Sequence, residues 1–555
     1  MSDIKGIALG IDDFKTLIEE NCYYVDKSKF IEEILKDKAG VKLFTRPRRF
    51  GKTLNMSMLR YFFDIKNAEE NRSLFKELYI EKSPAINEQG KYPVIFLSMK
   101  EIQGKNYEEI IERTRAFFKL LYNEYVMLRE NLNQSELQDF DEIWLGKKNI
   151  DLSTALLKLS LYLKKYYNQK VIILIDEYDV PLMSAYENGC YDEAIQFFKI
   201  LYGAVLKSNS NIKMGVLTGA IRVAQAGIFS DLNNLKINTI FNEAYDEYFG
   251  LSQKEVEDIL RYYGMEYTIT EVKSWYDGYK FGKAEVYNPW SILNYIDNKE
   301  LKAYWINTSG NVLIKNLLLL SDGVVFDDLQ NLVNGNERIV FINENIAFGN
   351  NLSPNHLWEL LLFSGYLTVK EKMDDKTYLV KIPNKEILTF FKEMFVSIIF
   401  RGSSNIGDMK QALQSKNINH IINILEEVVV NAMSFYDTSK KYENSYQTLL
   451  SGFMYGLNSF YQVLPNVESG YGRADIILKP RNKNWAGYIF ELKRANDNDM
   501  KMEAEKALNQ IEDKKYDNIL KNEEIKDIIK IGLVFKGKKV ESSYSYEKND
   551  FNVKN

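Results

Sequence analysis

The sequence predicts an α/β protein: a mainly parallel sheet with helices on both faces at the N-terminal end, a helical and winged-helix-like middle, and a second, smaller α/β unit at the C-terminal end. Strand-like apolar runs at Val41–Thr45, Pro93–Met99, Val171–Asp176 and Lys213–Thr218 alternate with helical segments, the order a parallel sheet with crossover helices requires. Gly51-Lys52-Thr53 lies between the first of these runs and the helical stretch Leu54 to Phe63. Near the C-terminal end, strand candidates Gly472–Leu478 and Tyr488–Lys493 precede a helix around Met502–Lys515 and a strand at Ile529–Phe535.

A chain of 555 residues exceeds one hydrophobic core, which stops growing at about 250–300 residues. The pattern divides it at 1–245, 246–385 and 386–555. Apolar content of 45% and charged content of 27% are those of a folded chain. Cys22, Cys190 and two histidines supply neither a disulfide framework nor a Cys/His zinc site, so a reducing cytoplasmic location is expected. No apolar run approaches the ~20 residues of a membrane span, and no signal-like segment opens the chain. A net charge of −5 gives no global positive field of the kind that draws nucleic acid, and a local basic patch stays open.

Between Leu251 and Ser321 the pattern reads as helical and aromatic. From His356 to Pro383 a helix (Leu357–Leu362), a strand (Tyr366–Lys370), an Asp374-Asp375 turn and a strand (Tyr378–Ile382) resemble the end of a winged helix. Such a wing serves either as packing or as a DNA reader. Long helical stretches are expected from Asn384 to about Asn458.

Arg46-Pro47-Arg48-Arg49-Phe50-Gly51-Lys52-Thr53 has the placement of a phosphate loop, in which backbone N–H groups and a helix N-terminus cradle phosphates. Lys52 is expected to reach the β- and γ-phosphates and Thr53 to hold Mg²⁺, with Arg49, Phe50 and Gly51 completing the loop. Arg46 stands where such loops usually carry glycine. The apolar run Val171–Ile175 ends in Asp176 and Glu177 at the carboxyl edge of the sheet. Asp176 is assigned to Mg²⁺ and Glu177 to the attacking water. Thr218 is a candidate sensor of the γ-phosphate, and Arg49 and Arg222 are candidate phosphate partners, with a surface or structural role as the alternative for each arginine. The plainer readings are a buried strand ending in a solvated acidic turn and a buried, satisfied threonine.

Asp475, Glu491 and Lys493 form the second candidate site. Strand periodicity puts Glu491 and Lys493 on one face, and pairing across the Lys479–Asn484 turn brings Asp475 beside them. Two carboxylates on a divalent cation, Mg²⁺ or Mn²⁺, with a lysine to orient water, suit phosphodiester hydrolysis. Glu443 and Gln510 are candidate auxiliaries. Lys479, Arg481, Lys483 and Arg494 lie close enough to meet a DNA or RNA backbone. A surface hairpin of alternating charge is the alternative.

At Arg46–Leu54, Ile175–Asp179, Thr218-Gly219, Ser230–Asn234, Trp275–Tyr279, Tyr287–Ser291, Phe363–Leu367, Glu491-Leu492-Lys493 and Ala507 to Tyr516, the chain resembles a bacterial and archaeal family of AAA-ATPase-like proteins. Members carry a C-terminal domain of the PD-(D/E)XK nuclease superfamily. The resemblance implies a P-loop NTPase domain, a restriction-endonuclease-like C-terminal domain and an arginine as the usual residue at position 46. It matches Asp475, Glu491 and Lys493 to the nuclease core, with Glu443 and Gln510 as auxiliaries. The expected function is an ATP-dependent switch on a metal-dependent nuclease, in defence or mobile-element biology. Competing expectations are an ATP-responsive scaffold or sensor with an inactive nuclease-like domain, and a DNA-binding regulator. Oligomeric state is left open.

Overall fold

The computed structural model describes residues 4–221, 229, 233–305, 323–344, 354–400, 404–436, 446, 450, 453–454, 456–457, 459–495, 499–537 and 539–549. Its internal contacts divide the chain into two compact units. The first is Met1–Ile314 with Gly335–Ile387, and the second is Lys315–Asn334 with Leu388–Asn555.

The first unit is built on a five-stranded sheet of β1 (Val41–Thr45), β2 (Val94–Ser98), β3 (Val171–Asp176), β4 (Ile212–Gly219) and β5 (Leu235–Asn238). The strand order is β2-β3-β4-β1-β5 and each pairing is parallel. Every residue of β1 and β3 is buried. Val171–Ile175 of β3 is an unbroken apolar run, as a strand covered on both faces favours, whereas β1 also buries Lys42, whose ammonium donates to the Ala39 carbonyl at 2.7 Å. Thr45 lies beside Gly219 and Ile175 beside Leu217 in the ladder. The carboxyl ends of β1, β3 and β4 therefore share one edge of the sheet. The strand β5 escapes sequence reading because its four residues carry only a mixed, partly exposed pattern.

The stretch after Leu251 is helical, as expected, and also holds short strands that the sequence reading did not include. Helices Gln253–Tyr262, Ile269–Tyr276 and Pro289–Asn298 do form, the first closed by a capping box of Ser252 and Glu255. Between them β7 (Tyr279–Phe281) and β8 (Ala284–Tyr287) make an antiparallel hairpin, and β6 (Leu251–Ser252) adds to β8. Aromatic and β-branched residues around the Gly282-Lys283 turn favour strand over helix here.

The winged-helix reading holds for its helix, Pro354–Phe363, and for the hairpin of β10 (Thr368–Lys372) and β11 (Thr377–Lys381). The Asp374 carboxylate accepts from the N–H groups of Lys376 and Thr377 at 3.0 and 3.1 Å, which sets the turn. A strand not anticipated, β9 (Arg338–Phe341), pairs with β11. Lys370 and Lys372 of the hairpin are ion-paired with Glu337 and Asp375.

The helix Lys385–Phe400 begins at the end of the first unit and continues into the second, where helices Ser404–Gln414 and Ile418–Tyr436 follow. The second unit holds β12 (Tyr461–Ser469), β13 (Gly472–Pro480), β14 (Gly487–Arg494), β15 (Asp527–Lys536) and β16 (Lys539–Lys548), hydrogen-bonded in chain order. Only β14 and β15 run parallel. Helix Met500–Asp513 packs closely on β15: a Cβ at Gly532 would lie 2.4 Å from the Ala504 carbonyl oxygen. The outer strands β12 and β16 add to the strands the sequence predicts. One carries Pro465 and Asn466 and the other is rich in Ser, Lys and Glu, compositions suited to sheet edges.

Candidate functional site

Lys52, Thr53, Asp176 and Thr218 meet at the shared carboxyl edge of the first sheet. The Thr53 hydroxyl donates to Asp176 Oδ2 at 2.7 Å, and the Thr218 hydroxyl donates to Asp176 Oδ1. Strand β3 delivers the carboxylate, β4 the second hydroxyl, and the first turn of helix Lys52–Phe63 the other. The Lys52 ammonium folds back to donate to the carbonyls of Arg46 (3.0 Å) and Pro47 (2.8 Å). Burial lowers its pKa, while Asp176, Asp179 and Glu177 oppose that shift.

Glu177 sits one residue beyond β3 with φ 55°. Burial, then the neighbouring Asp176 charge, raises its pKa above the ordinary carboxylate value. Asp179, not singled out by the sequence, braces the backbone, its Oδ2 accepting from the N–H groups of Ala220 (2.9 Å) and Ile221 (3.1 Å). The Tyr178 N–H donates to the Thr218 carbonyl at 3.0 Å. Together they hold the turn after β4 against the turn after β3, so closely that a Cβ at Gly219 would lie 2.6 Å from the Tyr178 ring. Arg222 lies outside the described residues.

The loop itself is gripped by aromatic side chains. Phe50 is fully buried against Tyr279 and Phe281, at ring distances of 5.0 and 5.2 Å; it contributes to the loop through its backbone. Arg49 has φ 67° and Gly51 φ 79°, and the Arg49 guanidinium stacks 4.1 Å from the Trp290 ring. Arg46 explains the missing glycine. Its fully buried guanidinium donates to the carbonyls of Thr45 and Asn238, both at 2.9 Å, and of Tyr245 at 3.5 Å. It also lies 5.2 Å from both the Phe249 and Phe281 rings. Burial pulls its pKa down to about 9, so it stays cationic at neutral pH. The side chain thus ties the loop to β5 and to the segment beyond it.

In the second unit, Asp475 on β13 and Glu491 and Lys493 on β14 come together with Gln510 of helix Met500–Asp513. The Lys493 ammonium donates to Gln510 Oε1 at 2.7 Å, and the Gln510 amide donates to Glu491 Oε1. Gln510 also reaches the Tyr516 hydroxyl at 3.4 Å. Asp475 Oδ2 accepts from the Leu492 N–H at 2.8 Å. Burial, then the Asp475 charge, pushes the Glu491 carboxyl up to about 8. Its Oε2 is buried without a protein partner. An acidic pair with one orphaned carboxylate oxygen suits a divalent cation. Among the described residues no group of three or more His, Cys, Asp or Glu side chains gathers as a metal cage, and Glu443 lies outside them. Lys479 and Lys483 are paired with Glu523 (2.6 Å) and Glu524 (3.5 Å).

Together these features define a parallel α/β domain whose carboxyl edge gathers Lys52, Thr53, Asp176 and Thr218, and a mixed-sheet domain with an acidic Asp…Glu-x-Lys edge. Comparison with known families agrees. Residues 8–229 match the family described as "Predicted AAA-ATPase", and residues 441–544 match the PD-(D/E)XK nuclease superfamily. The chain carries an AAA-ATPase-like domain and, C-terminal to it, a nuclease-superfamily domain. An "Uncharacterized protein in vnfD 5'region" of Azotobacter chroococcum mcd 1 is 23% identical over 325 residues, covering 57% of this chain. The match spans 56% of that relative's length. Among the described residues no helix is long and apolar enough to cross a membrane.

Two outcomes are expected. Arg46→Ala strands three buried carbonyls and should lower unfolding stability by about 3 kcal/mol, read as a shifted urea midpoint. Glu491 binds its proton up to about pH 8 when folded, against an ordinary value of 4.5. Its contribution to stability is therefore complete below the ordinary value and is lost as pH rises through about 8. In chelator, Glu491→Gln should melt with wild type near about pH 5 and above it beyond about pH 8.

Proposed function

We propose that the first unit binds ATP with Mg²⁺ and hydrolyses it, and that the second is a metal-dependent phosphodiesterase acting on DNA or RNA under ATP control. The observation that carries the first half is the Asp176 carboxylate held between two hydroxyls from different elements. In P-loop enzymes a threonine hydroxyl and an aspartate at these places bind the cation. On this reading Lys52 leaves the Arg46 and Pro47 carbonyls for the phosphates. Glu177 accepts a proton from the attacking water, and Thr218 orients the terminal phosphate. The bound Mg²⁺ supplies charge neutralisation along the triphosphate.

In the second unit Asp475 and Glu491 would hold Mg²⁺ or Mn²⁺, a Lewis acid that would supply water activation and charge neutralisation for phosphodiester hydrolysis. Lys493, fixed by Gln510, steadies negative charge developing on the phosphate. The division of labour we favour gives nucleotide to residues 1–245 and nuclease-like chemistry to 386–555, with the loop-gripping side chains of the 246–385 region coming from residues 249–305. Cytoplasmic action in defence or on mobile elements is the setting we favour, on the pairing of an AAA-ATPase-like domain with a nuclease-superfamily domain in one chain.

One observation favours a second reading, a scaffold or sensor whose nuclease-like domain only grips its partner. Lys479 and Lys483 already have acidic partners, which weakens the case for a phosphate-binding hairpin.

The purified chain should turn over ATP with Mg²⁺. Lys52→Ala and Glu177→Gln should each reduce turnover by about 100-fold or more, with Glu177→Gln retaining nucleotide binding. DNA and RNA cleavage with Mg²⁺ or Mn²⁺, assayed with and without ATP, should disappear in Glu491→Ala. Wild type as inert as that variant on every substrate would favour the scaffold reading.

A further inference from the structure

The peptide joining Arg48 to Arg49 lies within the phosphate loop, and a residue remote in sequence fixes it. The Trp305 indole N–H donates to the Arg48 carbonyl at 3.0 Å. In a planar trans peptide the C=O and the following N–H point in opposite directions. Holding the Arg48 carbonyl against the indole therefore turns the Arg49 N–H to the other side of the loop. Arg49 then takes its left-handed φ of 67°, a conformation that costs a non-glycine residue about 1 kcal/mol or more and persists only where its surroundings impose it.

Trp305 is itself anchored. Its backbone N–H and that of Tyr304 donate to Glu386 Oε1 at 2.8 and 2.6 Å. Its ring packs 5.0 Å from Tyr366. The other Glu386 oxygen accepts from the Ser291 hydroxyl at 2.8 Å. Ser291 directly follows Trp290, whose ring carries the Arg49 guanidinium. Glu386 and Ser291 are fully buried and Trp305 nearly so. One buried carboxylate thus anchors Trp305, which holds the Arg48 carbonyl, and the residue next to Trp290, which carries the Arg49 side chain.

We infer that Trp305 is a positioning residue of the nucleotide site, setting the Arg48–Arg49 peptide for phosphate binding, with Glu386 as its anchor. This rests on reading residues 46–53 as a phosphate loop. Neither residue touches the nucleotide on this account; both act on the backbone that does. A purely packing role would leave nucleotide affinity intact, because phenylalanine keeps an aromatic ring at position 305 and loses the N–H.

The test is calorimetric titration of the full chain with Mg²⁺ and a non-hydrolysable ATP analogue. Trp305→Phe should weaken binding by about tenfold, the equivalent of one buried hydrogen bond. Glu386→Ala should weaken it at least as much, and Glu386→Gln, which keeps an acceptor for the two N–H groups, should restore most of that loss. Wild-type affinity in both Trp305→Phe and Glu386→Ala overturns the inference and leaves the phosphate loop standing. No binding by the wild-type chain overturns the phosphate loop itself, and the inference with it. If Trp305→Phe does not fold, the Glu386 pair decides: equal affinity in Ala and Gln variants contradicts the anchor.

Discussion

The first unit's candidate chemistry depends on one carboxylate, Asp176, placed where three elements end together. Parallel pairing of β3 with β4 and of β4 with β1 brings the carboxyl ends of these strands to one edge, and that edge alone allows Thr53 and Thr218 to reach the same side chain. A buried carboxylate must find donors or lose its charge. Two hydroxyls, those of Thr53 and Thr218, are its donors here. Asp179 extends the constraint by stitching the turns that follow β3 and β4.

A phosphate loop needs backbone amides held in an arrangement that an isolated peptide would not keep. Glycine at the first position usually permits the sharp turn; this chain has Arg46, and reaches order by tethering. The buried guanidinium binds carbonyls of Thr45, Asn238 and Tyr245, Phe50 is lodged against the β7 aromatics, and Trp305 and Trp290 hold Arg48 and Arg49. The aromatic region after Leu251 is therefore part of how the loop is built.

Much of this is legible in the sequence, for physical reasons that differ by element. Strands β1 and β3 match their expected bounds residue for residue, and for β3 burial on both faces writes itself as the continuous run Val171–Ile175. Asp475, Glu491 and Lys493 can be grouped from sequence because a short turn and strand periodicity leave few alternatives. The hairpin at Tyr279–Tyr287 reads wrongly as helical, since short aromatic runs carry no period long enough to separate the two states. Edge strands β12 and β16 hide behind polar composition. Trp305 and Glu386 have no local signal at all: their meaning lies in hydrogen bonds spanning 257 and 81 residues, which no pattern window contains.

The most direct test of the central claim is the magnesium dependence of ATP binding, measured by calorimetry on wild type and Asp176→Asn. The account predicts that Mg²⁺ tightens ATP binding to the wild-type chain and that this tightening vanishes in the variant while some Mg²⁺-independent affinity remains. ATP binding equally strengthened by Mg²⁺ in both proteins, or no heat from either, would contradict it.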